Sequence, residues 1–258
     1  MLKELLDHRP IEAAIGGLFG IAVSIVLYLF FYQLNHFHLK RNNYGSKEET
    51  TSMNKEKSAM DYTLFQMINR LAGIYTFLNP LMKFLAEDAQ YLFYGGVIIY
   101  WFTRTNQNRR MVIEAFASAC LALGFSGILA LLFYRDRPFV AHHVIQLINH
   151  PANASFPSDH ATGAFVIAAA IWMFRKKDGL VWLILAASIS ISRIWTGVHY
   201  PSDVLTGAII GMVSAIFVHR LFTRWYFADK CMSYGLEMYE KIEQKIWAKT
   251  QSPQGKTR

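Results

Sequence analysis

The sequence predicts an all-α fold: a polytopic transmembrane helical bundle of five or six core spans, with an extra hydrophobic helix at its N-terminus. Three observations lead there. Apolar residues make up 53% of the 258 and charged residues only 17%, against roughly 25% charged in an average soluble domain. Stretches without Asp, Glu, Lys or Arg recur along the chain, among them residues 13–34 and 115–134, and each of these two can cross a ~30 Å hydrocarbon core at ~1.5 Å per residue. The basic excess, 26 Lys and Arg over 18 Asp and Glu, gathers between apolar segments, as it does in the cytoplasmic loops of membrane proteins. The same composition excludes a disordered chain. No regular Arg/Lys stripe with interleaved aromatics marks a nucleic-acid partner. Cys120 and Cys231 lie far apart, one in an apolar run and one in a polar tail, and define neither a disulfide framework nor a thiolate metal site.

Residues 1–59 form the first unit. The run at 13–34 is longer than the apolar core of a signal peptide and reads as an anchor. Residues 36–60 are polar and mixed in charge, and read as a linker. Met53 and Met60 stand just before the compact part, and translation starting near them would leave the first 59 residues outside the protein. Residues 64–86 carry Arg70, Pro80 and Lys83, and are compatible with a poor span, a re-entrant element or an interfacial helix. The linker's Lys40, Arg41, Lys47, Lys55 and Lys57 favour a crossing, which puts them on the side of the other basic clusters.

The membrane domain, residues 60–225, continues with uncharged stretches at 89–103, 115–134, 161–174, 179–192 and 204–218. The shorter ones are ambiguous singly. Together they read as spans, because no free-standing core needs so many helices that are apolar all round. Arg104, Arg109 and Arg110 fall in one connection, Arg175, Lys176 and Lys177 in another, and Arg220 and Arg224 follow the last span. Alternating crossings put all three clusters on one side, the cytoplasmic one. The connections 135–160 and 193–203 then face outward. Residues 226–258 form a basic amphipathic tail, with eight basic residues against four acidic ones from Arg220 onward. Such a helix either lies on the inner leaflet, held by anionic lipid, or ends the chain in solvent.

The outward connections hold the reactive side chains in three clusters. They are Tyr134-Arg135-Asp136-Arg137-Pro138, Phe156-Pro157-Ser158-Asp159-His160, and Ser192-Arg193 followed after five residues by His199 and after three more by Asp203. Each alone has a structural reading: an interfacial Arg-Pro, a Ser N-cap, an Asp in the first turn of a helix begun by Pro201. Converging at one depth of a bundle, they point to function, because ionisable groups in a membrane are costly. Arg137 and Arg193 present planar forks that fit phosphate oxygens. Ser158 adds a hydroxyl, and the helix starting there turns backbone N–H groups, that of Asp159 among them, toward an anion. A neutral His199 can attack phosphorus, with Asp203 fixing its tautomer. His160 can protonate the leaving group. The outcome is a two-step displacement through a phosphohistidine, completed by water, with the arginines stabilising the transferring group. A transporter predicts charges spread near the midplane of several spans, whereas these sit at helix ends. His142, His143, His150, His160 and His199 have no helical zinc spacing, so neither a metal nor another cofactor is expected.

Arg-Pro, then Pro-Ser-x-His, then Ser-Arg-x5-His-x3-Asp resembles the three-part signature of the type 2 phosphatidic acid phosphatase superfamily, over roughly residues 60–225. The resemblance implies a helical, metal-independent lipid phosphatase with His199 as nucleophile, Asp203 as its orienter, His160 as acid, and Arg137, Ser158 and Arg193 as phosphate ligands. One departure stands out. The family pattern has a Lys seven residues before the Arg of Arg-Pro, and Ala130 occupies that place here. Arg135 is a candidate to supply the missing contact, or equally an interfacial anchor. Arg137-Pro-Phe-Val-Ala-His142, Ala154-Ser-Phe-Pro-Ser-Asp-His160 and the run from Ser192 to Asp203 are further similar to bacitracin-resistance-type undecaprenyl pyrophosphate phosphatases. That likeness implies a polyprenyl diphosphate substrate, cell-wall carrier recycling, bacitracin resistance and a bacterial plasma membrane site open to the outside. A phosphatidate or phosphatidylglycerol phosphate phosphatase would use the same residues.

Overall fold

Every regular element in the computed structural model, which describes residues 52–251, is a helix. The expected anchor at 13–34 and the linker up to residue 51 lie outside the described residues. The first helix, α1 (Ser52–Asn69), runs straight through position 60. Residues 52–60 therefore belong to a helix and not to a linker. Polar as they are, they hold no Gly or Pro, and Met, Lys, Glu and Ala are good helix formers.

Residues 64–86 do not make one span. They break into the end of α1, the short α2 (Leu71–Ile74), a 3₁₀ turn (Thr76–Leu78) and α3 (Asn79–Glu87). Both flanks of the segment touch the same end of the bundle: Asp61 binds Ser202, and the Ala86 carbonyl accepts from Arg193. The segment lies along that end and does not cross.

Five helices then run between the two ends: α4 (Gln90–Phe102), α5 (Asn106–Leu132), α7 (Asp159–Phe174), α8 (Lys176–Trp195) and α9 (Pro201–Arg224). A single turn, α6 (Pro138–Ala141), lies in the long connection after α5. By length and apolar composition α5, α8 and α9 can each cross a membrane, and α7 is a shorter apolar helix. Their surfaces are inverted relative to a water-soluble protein. Leu132, Val181 and Leu205 are 69%, 67% and 62% exposed, while Glu114, Arg193 and Asp203 are buried. A contiguous apolar exterior around buried charge fits hydrocarbon as the solvent.

The core centres on α7. Ala161, Ala164, Val166, Ala168, Ala169, Ala170 and Ile171 are buried among α5, α8 and α9. Their small side chains let neighbours approach closely. The tightest approach is from α9. A Cβ on Gly207 would lie 2.6 Å from the Ser158 carbonyl oxygen, and one on Gly211 would lie 2.6 Å from that of Thr162. This contact brings the two helix N-termini together, and the Ser158 N–H donates to the Asp203 carbonyl at 3.1 Å.

At the opposite end the tail helix α10 (Tyr226–Gln251) folds back onto the bundle. Arg109 pairs with Glu240 and Glu243, Arg110 with Asp229, and Trp101 donates to the Tyr239 hydroxyl. The tail's acids thus clasp the basic connection between α4 and α5. Tyr234, Met238 and Ile242 stay exposed at four-residue spacing.

Gly211→Leu is expected to lower the thermal midpoint in detergent, at about 1–3 kcal/mol for overpacking a tight contact. Gly124→Ala, where an added Cβ meets nothing within 4 Å, should leave it unchanged. Equal midpoints for the two variants would contradict the close α7–α9 approach.

Candidate active site

The three clusters meet at one end of the bundle. Arg137 lies early in the long connection after α5, just before α6, and is buried. Its Nε donates to Asn153 Oδ1 at 2.9 Å, Nη2 to the Ala154 carbonyl at 3.1 Å, and Nη1 to the Val198 carbonyl at 3.0 Å. Nη1 is also 3.0 Å from Nε2 of His199. A guanidinium only donates. Nε2 therefore carries the lone pair, and the ring proton sits on Nδ1, facing Asp203.

His199 lies in the turn between α8 and α9. Gly197 makes that turn possible: its φ of +85° is left-handed, and a Cβ there would stand 2.6 Å from the Ile145 carbonyl oxygen. The Nδ1–Oδ2 distance from His199 to Asp203 is 3.6 Å, longer than a hydrogen bond.

Asp203 is fully buried and heavily held. Oδ2 accepts from Ser155 Oγ at 2.5 Å and from the Tyr200 N–H at 2.9 Å, and Oδ1 accepts from Arg135 at 3.1 Å. Asp203 is thus both the helix-start cap and the partner of His199.

Arg193, in the last turn of α8, spends Nη1 on the Ala86 carbonyl at 2.8 Å. Its Nε and Nη2 are buried without a hydrogen-bond partner, as are Ser158 Oγ and His199 Nδ1. Ser158 stands at the N-cap position of α7, yet its hydroxyl does not cap the helix. His160 lies in the first turn of α7, close enough to Arg193 and His199 for their charges to act on it. It lines a small pocket of about 40 Å³ between α4 and α7, with Gln90, Phe93, Tyr94, Gly163 and Ile167. The Asp159 carboxylate turns aside to accept from Ser126 of α5 at 2.8 Å, so that only its backbone stays at the helix N-terminus.

Arg135, the sequence candidate for the contact missing at Ala130, is held by protein partners. Its guanidinium binds Ser202, Asp203 and Asp61, and lies 3.6 Å over the Tyr200 ring. In this position it braces Asp203 from behind. Sequence reading also passed over Asn153 and Ser155, which lie in a loop without periodicity, and Asp61, which lies outside the motifs. His150 was noticed only as a possible metal ligand. Its ring centroid is 6.3 Å from that of His199, and its Nδ1 donates to the Pro151 carbonyl at 3.1 Å.

The electrostatics favour a neutral His199. Burial pushes the His199 imidazole down to about 3, with Arg137 and Arg193 acting in the same direction and Asp203 opposing them. Burial and then Arg137 lower His150 to about 4. Burial also lowers Arg137 to about 10, which leaves it a cation at neutral pH.

Comparison with known proteins returns one family. The PAP2 superfamily model matches residues 111–227. A Bacillus licheniformis protein named bacitracin transport permease protein BcrC is 42% identical over 190 residues, covering 73% of this chain and 92% of that protein. The undecaprenyl-diphosphatase BcrC of Bacillus subtilis (strain 168) is 34% identical over 193 residues, covering 74% of this chain and 97% of that protein. Among solved structures, the crystal structure of Aquifex aeolicus LpxE superposes with a TM-score of 0.56 at 25% identity, over 62% of this chain and 95% of that one.

The ordinary histidine value is 6.5, and His199 sits at about 3. Between them the unfolded chain binds a proton that the folded chain refuses. Stability is full above pH 6.5 and declines as the pH falls through that window. In ¹⁵N-labelled protein the His199 ring should keep the Nδ1–H tautomer at pH 5, while the thermal midpoint drops between pH 7 and 5. A ring titration near pH 6.5 would contradict this electrostatic picture.

Proposed function

The chain belongs to the PAP2 superfamily, and on that footing we propose that it is an undecaprenyl-diphosphatase, hydrolysing the polyprenyl diphosphate to the monophosphate and inorganic phosphate. It is a membrane protein. We place it in the bacterial plasma membrane with the site facing outward, because Arg104, Arg109, Arg110 and the Arg175–Lys177 cluster lie at the other end. One observation carries the reading. Ser158 Oγ and Arg193 Nε and Nη2 are buried donors without a protein acceptor, and they belong to the cluster that holds the lone pair of His199. Buried donors usually find partners, and phosphoryl oxygens would satisfy these.

In the proposed mechanism, Arg137 transfers its Nη1 hydrogen bond from His199 to a phosphoryl oxygen, freeing Nε2 for in-line attack on the terminal phosphorus. The N–P bond forms as the bridging P–O bond breaks. Positive charge develops on the imidazole, and Asp203 stabilises it through Nδ1–H. His160, carrying a proton taken up together with the anionic diphosphate, protonates the departing polyprenyl phosphate. Water then attacks the phosphohistidine, His160 takes its proton, and phosphate leaves. The arginines stabilise the equatorial oxygens in both steps. The pocket beside His160 is walled by Phe93, Tyr94 and Ile167, which suits the start of an isoprenoid chain. Carrier recycling and bacitracin resistance follow from this activity.

One relative's name speaks of transport. The reactive charges here cluster at one end of the bundle. The buried Glu114 is paired with Arg110 and His219. That arrangement favours hydrolysis over a transport path.

Purified enzyme assayed with EDTA should release phosphate from undecaprenyl diphosphate in preference to phosphatidate and phosphatidylglycerol phosphate, and His199→Ala should remove both turnover and the acid-labile phosphoenzyme. Preference for a glycerolipid would replace the substrate and keep the mechanism. Substantial activity in His199→Ala would overturn the mechanism. His160→Ala should slow the first step by about 10²–10⁴-fold for an alkoxide leaving group, and less for a phosphate leaving group, which needs protonation less. Equal losses for both would remove His160 from the acid role.

A further inference from the structure

One face of α1 is devoted to the loops that carry the active site. Asp61 Oδ1 accepts from the Ser202 N–H at 3.0 Å, and Oδ2 accepts from the Ser202 hydroxyl at 2.6 Å and pairs with Arg135 Nη2 at 2.7 Å. The Tyr62 ring stacks on His142 at 3.8 Å, and the Phe65 ring packs on Tyr200 at 5.6 Å. Asn69, also buried, donates to the carbonyls of Ile145 and Trp195 and accepts from the Ile145 N–H. Residues 61, 65 and 69 recur at four-residue spacing, so they share a side of the helix. That side touches the loop before His150 and the turn that holds His199. All of it lies ahead of the stretch that the family model matches, which begins at residue 111.

Asp61 acts at the end of a relay. Arg135 bridges two carboxylates, giving Nη2 to Asp61 and Nη1 to Asp203 Oδ1 and Ser202 Oγ. Ser202 adjoins Asp203 and is gripped by Asp61 at both its N–H and its hydroxyl. The Asp203 carboxylate has little freedom left. One oxygen is turned to Arg135, and the other to Ser155, the Tyr200 N–H and His199.

From this geometry we infer that Asp61 is a positioning residue for the reaction proposed above: with Arg135 and Ser202 it fixes the Asp203 carboxylate, and through it the tautomer and aim of His199. Asp61 also splits the charge of Arg135. Without it the guanidinium is released to grip Asp203 with both nitrogens, drawing the carboxylate from a ring that is already 3.6 Å away. The imidazolium that forms on phosphoryl transfer then loses its counter-charge and faces an unbalanced arginine. The residue touches no substrate, so its loss shows in the chemical step and not in binding.

The test uses the full chain in detergent with undecaprenyl diphosphate, comparing Asp61→Asn, Asp61→Glu, Arg135→Gln and the Asp61→Asn/Arg135→Gln double variant with wild type and His199→Ala. Asp61→Asn should lower kcat by about 10- to 100-fold, the scale of a misplaced catalytic group, with KM unchanged. Single-turnover phosphoenzyme formation should slow by the same factor. Asp61→Glu should recover part of the rate. The double variant should be no slower than Arg135→Gln alone, because the pair acts as one unit. Wild-type kcat in Asp61→Asn would overturn the inference. So would a loss explained wholly by less folded protein in an active-site titration, or additive losses in the double variant. The His199→Ala arm keeps the two readings apart: if it stays active the phosphohistidine mechanism fails, and if it is dead while Asp61→Asn is normal only the positioning role fails.

Discussion

The active site depends on the close packing of α7 against α9. Two glycines one turn apart, Gly207 and Gly211, let the backbone of α9 reach the backbone of α7. The helix N-termini then meet, with the Ser158 N–H bonded to the Asp203 carbonyl. Ser158 and His160 ride on one helix, and Asp203 on the other. His199 occupies the turn that leads into α9. Motifs about forty residues apart in the chain are set side by side by helix packing, and only small residues permit that distance in a membrane bundle. Loop flexibility plays little part, because the loops are pinned by Asn69, Asn153 and Gly197.

Within that frame the site joins burial to uncompensated donors. An isolated buried imidazole loses its charge, and His199 is neutral for that reason. Two neighbouring arginines reinforce the neutrality while offering an anion a place to bind. The same desolvation that keeps the His199 lone pair available would strengthen every contact to a phosphoryl group in the proposed reaction. Asp203 opposes the two arginines by favouring the imidazolium, and its carboxylate is held against drift by three hydrogen-bond donors, from Ser155, Tyr200 and Arg135. The geometry thus suits the charge distribution that the proposed phosphoryl transfer would create.

Much of this was legible in the sequence. The spacing of Arg193, His199 and Asp203 and the Ser158-x-His160 pair name the site, because local chemistry sets it and few arrangements of such residues are tolerated at membrane depth. The uncharged runs give the helices, since hydrocarbon contact demands them. What escaped was set by tertiary geometry. Arg135 and Arg137 are two residues apart and alike in type. Only the fold shows that one faces His199 and the other faces the back of Asp203. The segment 64–86 has enough apolar residues to suggest a span, yet Arg70 and Pro80 coincide with a broken helix that lies along one end. The role of Asp61 is invisible in one dimension because its partners are far along the chain. The tail's net positive charge concealed the fact that its few acids, Asp229, Glu240 and Glu243, make its contacts.

Those acids bear on how the chain acquires its orientation. Arg109 precedes Glu240 by 131 residues and Glu243 by 134. At roughly 5–20 residues per second of synthesis, the arginines emerge on the order of ten seconds before the carboxylates that later neutralise them. While α5 is being inserted, Glu114 is the carboxylate already at hand for Arg110, and Arg109 still lacks its two partners in the tail. Once the tail is complete, the same charges become internal ion pairs that lock the end of the bundle. A residue can in this way serve as an address during biogenesis and as a fastener afterwards. Order of synthesis decides which role comes first, so basic residues can direct topology even in a protein whose finished fold leaves them paired.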